Sequence, residues 1–408
     1  MKILFVHQNF PGQFVHLAPA LAARGHDILA LTVETNQRPS PVKVVKYRKP
    51  APVEMSSRLT RLYADCAARG AKVALAARQL RDKHGYVPDV ILGHSGWGET
   101  LFLREVWPEA KLLVYAELMY RTTGMDTDFD AEFQRPSLET RISTTARSAH
   151  LIQSMVQADA GLSPTEFQAE TFPPELRAKL TICHDGVDCA RLAPNPQARF
   201  TVPGTTLTLR PGDEVLTFVN RSLEPYRGYH SFMRALPDVL AARPEAHVLI
   251  VGEEGQSYGA PPKDAKSWKQ KFLDEVRDRL DMSRVHFLGR IPYGDYVDML
   301  HVSRTHAYLT YPFVLSWSLM ESMAAGCAIV ASDTAPVREV ITDGQTGRLV
   351  DFFDIPGWSR ALSEGLATPQ TFAPMREAAR AHILERYDLR THCLPRLIAF
   401  VEGAIATP

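Results

Sequence analysis

The run Tyr311-Pro-Phe-Val-Leu-Ser-Trp-Ser-Leu-Met-Glu-Ser-Met-Ala-Ala-Gly-Cys-Ala-Ile-Val-Ala-Ser332 decides the fold of this chain. An apolar strand pattern at Ala307–Leu309 precedes it, helical spacing follows a short loop, and a second strand pattern lies at Ile329–Ala331. Apolar strands that alternate with helices are typical of a parallel sheet covered on both faces. The run therefore predicts a parallel α/β domain.

The same alternation extends over both halves of the chain. In the second half the predicted strands are Val215–Val219, His247–Val251, Val285–Leu288, Ala307–Leu309, Ile329–Ala331 and Arg348–Val350. In the first half they are Ile3–Val6, Ile28–Val33, Val42–Val45, Val90–Leu92, Leu112–Tyr115, Leu151–Ile152 and Leu180–Cys183. Two such series predict an α/β protein with two doubly wound Rossmann-like domains that face each other across a ligand-binding cleft.

A break in the alternation marks the domain boundary. Residues 191–212 contain four prolines and no helical period, so we predict a linker there. The N-terminal domain is then assigned to residues 1–190 and the C-terminal domain to residues 213–385. The tail, residues 386–408, is predicted to form a C-terminal helix that crosses back to the N-terminal domain.

Composition disfavours several classes of protein. Lys+Arg and Asp+Glu both number 46 in 408 residues, and this balance disfavours a nucleic-acid binder. Five cysteines without a CxxC pair indicate neither a disulfide framework nor a zinc site, and they favour the reducing cytoplasm. The first residues form too short an apolar run for a signal peptide, and no run approaches the ~20 residues of a membrane span.

The loop and helix inside the opening run have the features of a phosphate and ribose site. Ser316 is a plausible N-cap, and the free N–H groups at Ser316–Ser318 favour a bound phosphate. Glu321 lies about one turn into the helix, where its carboxylate can accept hydrogen bonds from a ribose diol. The alternative is that Glu321 is a solvated helix residue.

Two arginines follow the first strand of the second half. Arg221 comes directly after Asn220, and Arg227 precedes the next helix. Two guanidinium groups at the mouth of a sheet suit a diphosphate, whose oxygens they can bind in a bidentate way. Alone, the two residues would be interpreted as surface arginines.

Together these residues resemble the GT-B glycosyltransferases of glycosyltransferase family 4. Arg221 and the pair Arg227-Gly228 match that family's arginine and Lys-Gly pair, and the run His286–Pro292 matches its strand–glycine turn. Glu321-Ser-Met-Ala-Ala-Gly and the pattern from Ser332 to Gly347 also match. The resemblance covers the C-terminal domain strongly and extends more weakly to the first 30 residues and to Val90–His94.

The resemblance implies a role for each residue. Arg221 and Arg227 would neutralise the diphosphate leaving group, and Glu321 would hold the ribose. The main chain at Gly289, Arg290 and Ile291 would meet the base, while N–H groups at Ser316, Trp317 and Ser318 would meet phosphate and donor sugar. The family is mostly metal-independent and retains the anomeric configuration, so neither a metal nor a cofactor is expected.

Phe313 is a departure from the family pattern. The family usually has two glutamates eight positions apart, and here Phe313 stands at the first position, with Val314 and Ser316 replacing glycines. The first glutamate commonly touches donor-sugar hydroxyls. Either another group replaces that contact, or the donor sugar differs.

The N-terminal half offers candidates of its own. Gly12 can allow close approach of a ligand or serve a tight turn, and His94 ends a strand where the family often has histidines, although a lone histidine is usually structural. Glu117 ends the next strand and can contact a sugar hydroxyl. The helix at Arg58–Lys83 carries cations on one face. This face is either solvated or docks to an acceptor or to an anionic membrane, which would place the protein at the inner face of the membrane.

The sequence thus predicts a retaining glycosyltransferase of polysaccharide or glycoconjugate biosynthesis. Its donor would be a nucleotide-diphosphate sugar, and its acceptor a glycan, a lipid-linked sugar or a small molecule. Two alternatives stay open: a phosphorylase or nucleotide-sugar epimerase on the same fold, and a non-catalytic sugar-nucleotide binder. The sequence does not fix the base, the sugar, the acceptor or the oligomeric state.

Overall fold

The computed structural model describes residues 1–54 and 57–406. The chain divides into two compact units. The first unit comprises Met1–Gly186 together with the C-terminal segment from Leu389, and the second comprises Val187–Asp388. The chain therefore passes from one unit to the other twice.

The first unit is built on a seven-stranded parallel sheet with the strand order β3-β2-β1-β4-β5-β6-β7. Its strands are β1 Lys2–Val6, β2 Asp27–Val33, β3 Lys43–Tyr47, β4 Val90–His94, β5 Lys111–Tyr115, β6 Ala160–Ser163 and β7 Leu180–Ile182. Its helices are α1 Leu17–Ala23, α2 Arg61–His84, α3 Leu138–Gln157, α4 Glu166–Ala169, α5 Pro174–Arg177 and, after the second unit, α13 Leu394–Ala406.

Alternate residues of β1 show why both faces of this sheet are covered. Ile3 and Phe5 belong to the apolar cluster that includes α1 and α13, whereas Leu4 and Val6 belong to the cluster that includes α2. All four side chains are fully buried. Burial of each such side chain stabilises the fold by about 1.5–3 kcal/mol, so a polar residue at any of them would be costly.

The C-terminal helix α13 is part of the first unit. Leu397 and Val401 lie in the same core cluster as the first strand, with at most 3% of their surface exposed. At the rim, the Glu402 carboxylate accepts hydrogen bonds from Arg24 Nε at 2.7 Å and bonds to His26 Nε2 at 2.9 Å. A π-helical turn at Leu389–Cys393 leads into this helix.

The second unit is built on a six-stranded parallel sheet with the strand order β12-β11-β10-β13-β14-β15, preceded by a two-stranded hairpin. Its strands are β8 Phe200–Thr201, β9 Thr208–Leu209, β10 Val215–Ser222, β11 His247–Glu253, β12 Val285–Gly289, β13 Thr305–Tyr308, β14 Ala328–Ser332 and β15 Arg348–Val350. Its helices are α6 Tyr229–Ala242, α7 Trp268–Val276, α8 Tyr293–Val302, α9 Trp317–Ala324, α10 Ala335–Arg338, α11 Ile355–Ala367 and α12 Pro369–Arg386.

Both faces of the second sheet are covered as well. On one face Phe218 of β10 stacks on Phe232 of α6, with ring centroids 4.3 Å apart. On the other, Val219 joins a core cluster with Leu319 of α9 and Ile383 of α12. Each unit is therefore a Rossmann-like doubly wound sheet, and the predicted fold class is confirmed on this point.

Two local predictions are wrong. Leu151–Ile152, predicted as a strand, lies inside α3, because Leu151 continues the buried side of an amphipathic helix. The strand at this place in the sheet is Ala160–Ser163, whose small residues give little apolar signal. Residues 191–212, predicted as a linker, belong to the second unit, where Leu192, Phe200 and Leu209 enter the core.

Candidate active site

The end of β10 and the turn after it position the two predicted phosphate-binding arginines. Arg221 lies near the end of the strand with an exposed side chain, whereas Arg227 ends a 3-10 turn and is 7% exposed. Gly228 follows with φ +66°, and a Cβ there would lie 2.2 Å from Leu309 Cβ. Only glycine lets the turn pack this closely on the neighbouring strand.

Arg227 ties this turn to the loop after β13. Its Nη1 donates hydrogen bonds to Thr310 Oγ1 at 2.9 Å and to the Val314 carbonyl at 2.8 Å. Its guanidinium group also lies 5.5 Å from the Tyr258 ring centroid and 5.6 Å from that of Phe313. Arg227 thus holds the loop in place, while Arg221 presents its cation to solvent.

Glu224, between the two arginines, was not identified from the sequence. Its carboxylate is 1% exposed and accepts hydrogen bonds from the backbone N–H groups of Ser257 at 3.2 Å and Tyr258 at 3.0 Å. Burial raises the pKa of this carboxyl to about 7. Because its partners lie more than 30 residues away, no local motif predicts this anchor of the loop after β11.

Phe313, which replaces the family's first glutamate, lies inside an aromatic cluster. Its ring is 2% exposed and meets Tyr226 at 5.7 Å and Tyr258 at 4.8 Å between centroids, both edge to face. Tyr226 also contacts Tyr311 at 4.9 Å. Phe313 therefore packs on its neighbours, and its place in the donor-sugar site stays a prediction.

Ser316 is the N-cap of α9, as predicted from the sequence. Its Oγ accepts a long hydrogen bond from Ser318 N at 3.4 Å, and its own N–H donates to the Tyr308 hydroxyl at 2.9 Å. Trp317, the first helical residue, is 43% exposed. The first turn of α9 thus begins beside the loop that Arg227 holds.

Glu321 sits one turn into α9 and is held by two phenols. Its Oε1 accepts a hydrogen bond from the Tyr293 hydroxyl at 2.8 Å, and its Oε2 accepts one from Tyr296 at 2.9 Å. Burial raises the pKa of the Glu321 carboxyl, while the two phenol hydrogen bonds oppose the increase. Glu321 is therefore a fixed, half-buried acceptor rather than a solvated helix residue.

The predicted base-contacting turn lies at the end of β12. Gly289 has φ +61°, Arg290 is exposed, and Ile291 packs against the core of the second unit. The chain then enters α8, whose first residue, Tyr293, contacts Glu321. The base and ribose predictions thus fall on residues that are neighbours in one unit.

In the first unit, the strand-to-helix turn after β1 contains a buried histidine. His7 Nδ1 accepts from Asn9 N at 2.9 Å, and Nε2 bonds to Gln13 Oε1 at 2.8 Å. Gly12 has φ +51°, and a Cβ there would lie 2.5 Å from His7 Nε2. Burial and nearby His94 lower the pKa of His7 to about 3, so its imidazole is neutral.

His94 and Glu117 lie beside this turn. His94 Nδ1 accepts from Gly96 N at 3.0 Å, and its ring stacks on Trp97 with centroids 4.4 Å apart. His94 Nε2 has no hydrogen-bond partner within residues 1–54 and 57–406, and it lies 3.8 Å from Glu117 Oε2. Gln13 Nε2 donates to Glu117 Oε1 at 3.0 Å. The structure thus brings Gly12, His94 and Glu117 together.

Glu99 is a buried acid that sequence reasoning missed. Its carboxylate accepts hydrogen bonds from the Tyr47 hydroxyl at 2.5 Å and from Gln8 N at 2.9 Å. Burial raises the pKa of Glu99 to about 7. Because Gln8 follows His7, the hydrogen bond from Gln8 N to Glu99 fixes the main chain of the turn after β1.

The cationic face predicted on α2 is only partly exposed. Arg69 donates a hydrogen bond to the Gln8 side chain, so this cation supports the turn after β1. Arg61 and Lys72 are exposed, and Arg61 lies 3.6 Å from Asp65. Among the helices of the described residues, none is long and apolar enough to cross a membrane.

Both units match known glycosyltransferase families. The family described as "Glycosyl transferase family 4 group" matches residues 24–192, and "Glycosyl transferases group 1" matches residues 206–382. Glycogen synthase of Mycobacterium tuberculosis is 24% identical over 96% of this chain and 92% of its own. Phosphatidyl-myo-inositol mannosyltransferase of Mycolicibacterium smegmatis is 33% identical over 44% of this chain and 42% of its own.

Solved structures share the fold over the full chain. Sucrose-phosphate synthase from Thermosynechococcus elongatus superposes with a TM-score of 0.72 at 17% identity and covers 100% of both chains. Anabaena HepE in complex with UDP-glucose gives a TM-score of 0.66 at 15% identity, again over 100% of both chains.

Two Rossmann-like sheets with these matches define a GT-B glycosyltransferase. The chain belongs to glycosyltransferase family 4, and it is a glycosyltransferase enzyme.

Proposed function

We propose that this enzyme transfers a sugar from a nucleoside-diphosphate sugar to a hydroxyl acceptor with retention of the anomeric configuration. Glu321 is the observation that carries the donor assignment. Two phenols fix its carboxylate, and each oxygen keeps a lone pair for a ribose hydroxyl. HepE, a structural neighbour, was solved in complex with UDP-glucose, which supports a donor of this class.

The diphosphate leaving group requires positive charge as its bond to the sugar breaks. Arg221 is exposed at the end of β10 and is available to a phosphate, and the first turn of α9 supplies N–H groups. Fixed cations and helix N–H groups stabilise charge that builds up in the transition state. Arg227 contributes its charge and fixes the loop between β13 and α9.

We assign the acceptor to the first unit, at the turn after β1 and the end of β5. Glu117 has about a third of its side chain exposed and is oriented by Gln13. Its carboxylate is suited to accept a hydrogen bond from an acceptor hydroxyl. Glycans, lipid-linked sugars and small molecules all offer such a hydroxyl. We propose a cytoplasmic location, which suits five buried cysteines without a disulfide.

A ligand screen tests the donor assignment. Thermal shifts are measured with uridine, guanosine and adenosine diphosphates and their sugar conjugates. At least one should stabilise the wild type, and Glu321→Gln should bind it roughly 10-fold or more weakly, because a hydrogen bond to a charged group is worth about 1.5–3 kcal/mol.

Glu377→Gln, at an exposed position of α12, is the matched control and should bind like the wild type. Equal affinity of the Glu321→Gln variant would refute the ribose role. Binding without transfer to any acceptor in a panel would identify a non-catalytic binder. A need for inorganic phosphate would identify a phosphorylase.

We further propose that transfer needs no metal ion, because arginines and helix N–H groups perform that role. Turnover should persist in excess EDTA. A loss of activity that only added Mg²⁺ or Mn²⁺ restores would contradict this mechanism.

A further inference from the structure

Helix α3 carries an uncharged stripe on its outer side. Of the thirteen large hydrophobic side chains that are exposed in the described part of the chain, four lie here: Leu138 at 60%, Ile142 at 40%, Ile152 at 37% and Val156 at 60%. With Thr145 and Ala149 they fall within about 80° of the helix circumference, at 100° per residue. We call these six residues the α3 stripe.

The order of residues in the α3 stripe is self-complementary. Leu138 and Val156, Ile142 and Ile152, and Thr145 and Ala149 lie nine, five and two residues on either side of position 147. Large side chains therefore occupy both ends, and small ones occupy the centre. A two-fold axis near position 147 would bring each residue opposite its counterpart in an antiparallel second helix.

We propose that the α3 stripe is an interface between two copies of this chain, with the two α3 helices antiparallel. Thr145 and Ala149 let the helix axes approach at the crossing point, and the four larger side chains pack on either side. The pairing is isologous, because residue 138 of one copy meets residue 156 of the other and the reverse contact follows from symmetry.

Charges at the ends of α3 fit this pairing. Glu139 is exposed at the N-terminal end, and Lys179 Nζ donates hydrogen bonds to the last carbonyls, at 3.2 Å to Val156 O and 2.9 Å to Ala158 O. Antiparallel pairing brings the cation of one copy toward the acid of the other and aligns the helix dipoles favourably.

A second copy fits the stripe better than an anionic membrane does. Around the N-terminal end of α3 the exposed cations Arg135 and Arg141 are balanced by the exposed acids Glu132 and Glu139. A surface that binds anionic lipid usually carries an excess of Lys and Arg. At the N-terminal end of α3 no such excess accompanies the apolar residues.

The size of the stripe predicts a weak dimer. A 20-residue helix is about 30 Å long. Pairing it buries on the order of 500 Å² per copy, at the small end of specific interfaces. We therefore expect a reversible dimer that forms as the protein concentration rises.

Sedimentation velocity of the full chain from about 1 to about 500 µM tests the proposal. The wild type should shift from monomer to dimer. Val156→Glu and Leu138→Lys should each weaken dimerisation at least 10-fold. The double variant should recover it, because the two changed residues then face each other with opposite charge. Leu75→Glu, at an exposed position of α2, should dimerise like the wild type.

Thermal melting first establishes that each variant is folded. A monomer at every concentration would overturn the proposal, and so would single variants that dimerise normally or a double variant that does not recover. Flotation with vesicles that contain phosphatidylserine addresses the membrane. Val156-dependent binding of a monomer to such vesicles would overturn the proposal in favour of a lipid surface.

Discussion

Arg221 and Arg227 are six residues apart, yet the structure gives them different tasks. Arg221 is exposed, and Arg227 is buried with hydrogen bonds to Thr310 and Val314. The sequence predicts a clamp of two cations, and the structure shows one exposed cation and one buried cation that holds a loop.

Arg221→Ala should lower turnover roughly 100-fold, because a charge that stabilises the leaving group is lost. Its thermal midpoint should stay at the wild-type value, since the side chain is exposed. Arg227→Ala should lower both the turnover and the thermal midpoint, because Arg227 also holds the loop after β13. Turnover with the donor found by the ligand screen and thermal melting measure the two effects, and Arg210→Ala, at an exposed position just after the hairpin, is the neutral control. Full activity of the Arg221→Ala variant would exclude its role on the diphosphate.

Glu99 predicts a distinct dependence of stability on pH. Its pKa is about 7 in the fold and 4.5 when unperturbed. Between these values the unfolded state loses its proton first, so the free energy of unfolding should fall by on the order of 3 kcal/mol as pH rises from 4.5 to 7. Above pH 7 this loss is complete.

Denaturant unfolding at several pH values tests this prediction. Glu99→Gln should remove the Glu99 part of the slope, so the wild-type and variant curves should diverge as pH rises. Glu105→Gln, at an exposed position, should leave the wild-type profile unchanged. Parallel curves for wild type and Glu99→Gln would show that Glu99 does not titrate in this range.

At the scale of single elements, the turn after β1 depends on Gly12. Gly12 and Gly85 have similar positive φ angles, 51° and 60°, but differ in surroundings. A Cβ at Gly12 would lie 2.5 Å from His7, whereas nothing lies within 4 Å of one at Gly85. A comparison of alanine substitutions at Gly12 and Gly85 therefore separates the free-energy cost of the left-handed backbone from the cost of the contact with His7.

Gly85→Ala should lower the free energy of unfolding by about 1 kcal/mol, the cost of a left-handed alanine. Gly12→Ala should lower it by more than about 2 kcal/mol, because His7 must also move. Denaturant unfolding gives both values. Equal losses would mean that the turn relaxes without disturbing His7.

Sequence patterns predict those strands whose apolar pattern is contained in one short run of neighbouring residues. All six strands of the second sheet were predicted, because each is a short apolar run between turn residues. Ala160–Ser163 was missed because Ala, Gly and Ser carry little apolar signal, and the apolar pair Leu151–Ile152 inside α3 imitated a strand. The hairpin within 191–212 was missed because its prolines suggested a linker.

In the candidate site, too, the sequence predicts residues in local motifs but not pairs of residues that are distant along the chain. Glu321, Ser316 and Arg221 lie in recognisable local patterns, so the sequence predicts them as site residues. Glu224 and Glu99 depend on partners far along the chain, and no spacing reveals such pairs. The phenols of Tyr293 and Tyr296 reach Glu321 from another helix, which only the folded sheet brings close.

At the scale of the whole molecule, α13 completes the core of the first unit. Leu397 is 3% exposed, whereas Ile405 on the same helix is 44% exposed. Leu397→Ala should lower the free energy of unfolding by about 2–5 kcal/mol. Ile405→Ala should change it by less than about 0.5 kcal/mol. Denaturant unfolding measures both changes in the free energy of unfolding. If Leu397→Ala changed it as little as Ile405→Ala, α13 would add little to this core.

The return of the chain to the first unit also has a consequence for biosynthesis. The ribosome makes all seven strands of the first sheet before residue 187, but α13 follows about 200 residues later. At ~5–20 residues per second, that interval is roughly 10–40 s. During it the nascent first unit exposes the apolar face that α13 will cover, and the sequence of the second unit is complete before α13 is made. The later-synthesised unit is thus the first that can finish folding, and the earlier one keeps an uncovered apolar face until the end of synthesis.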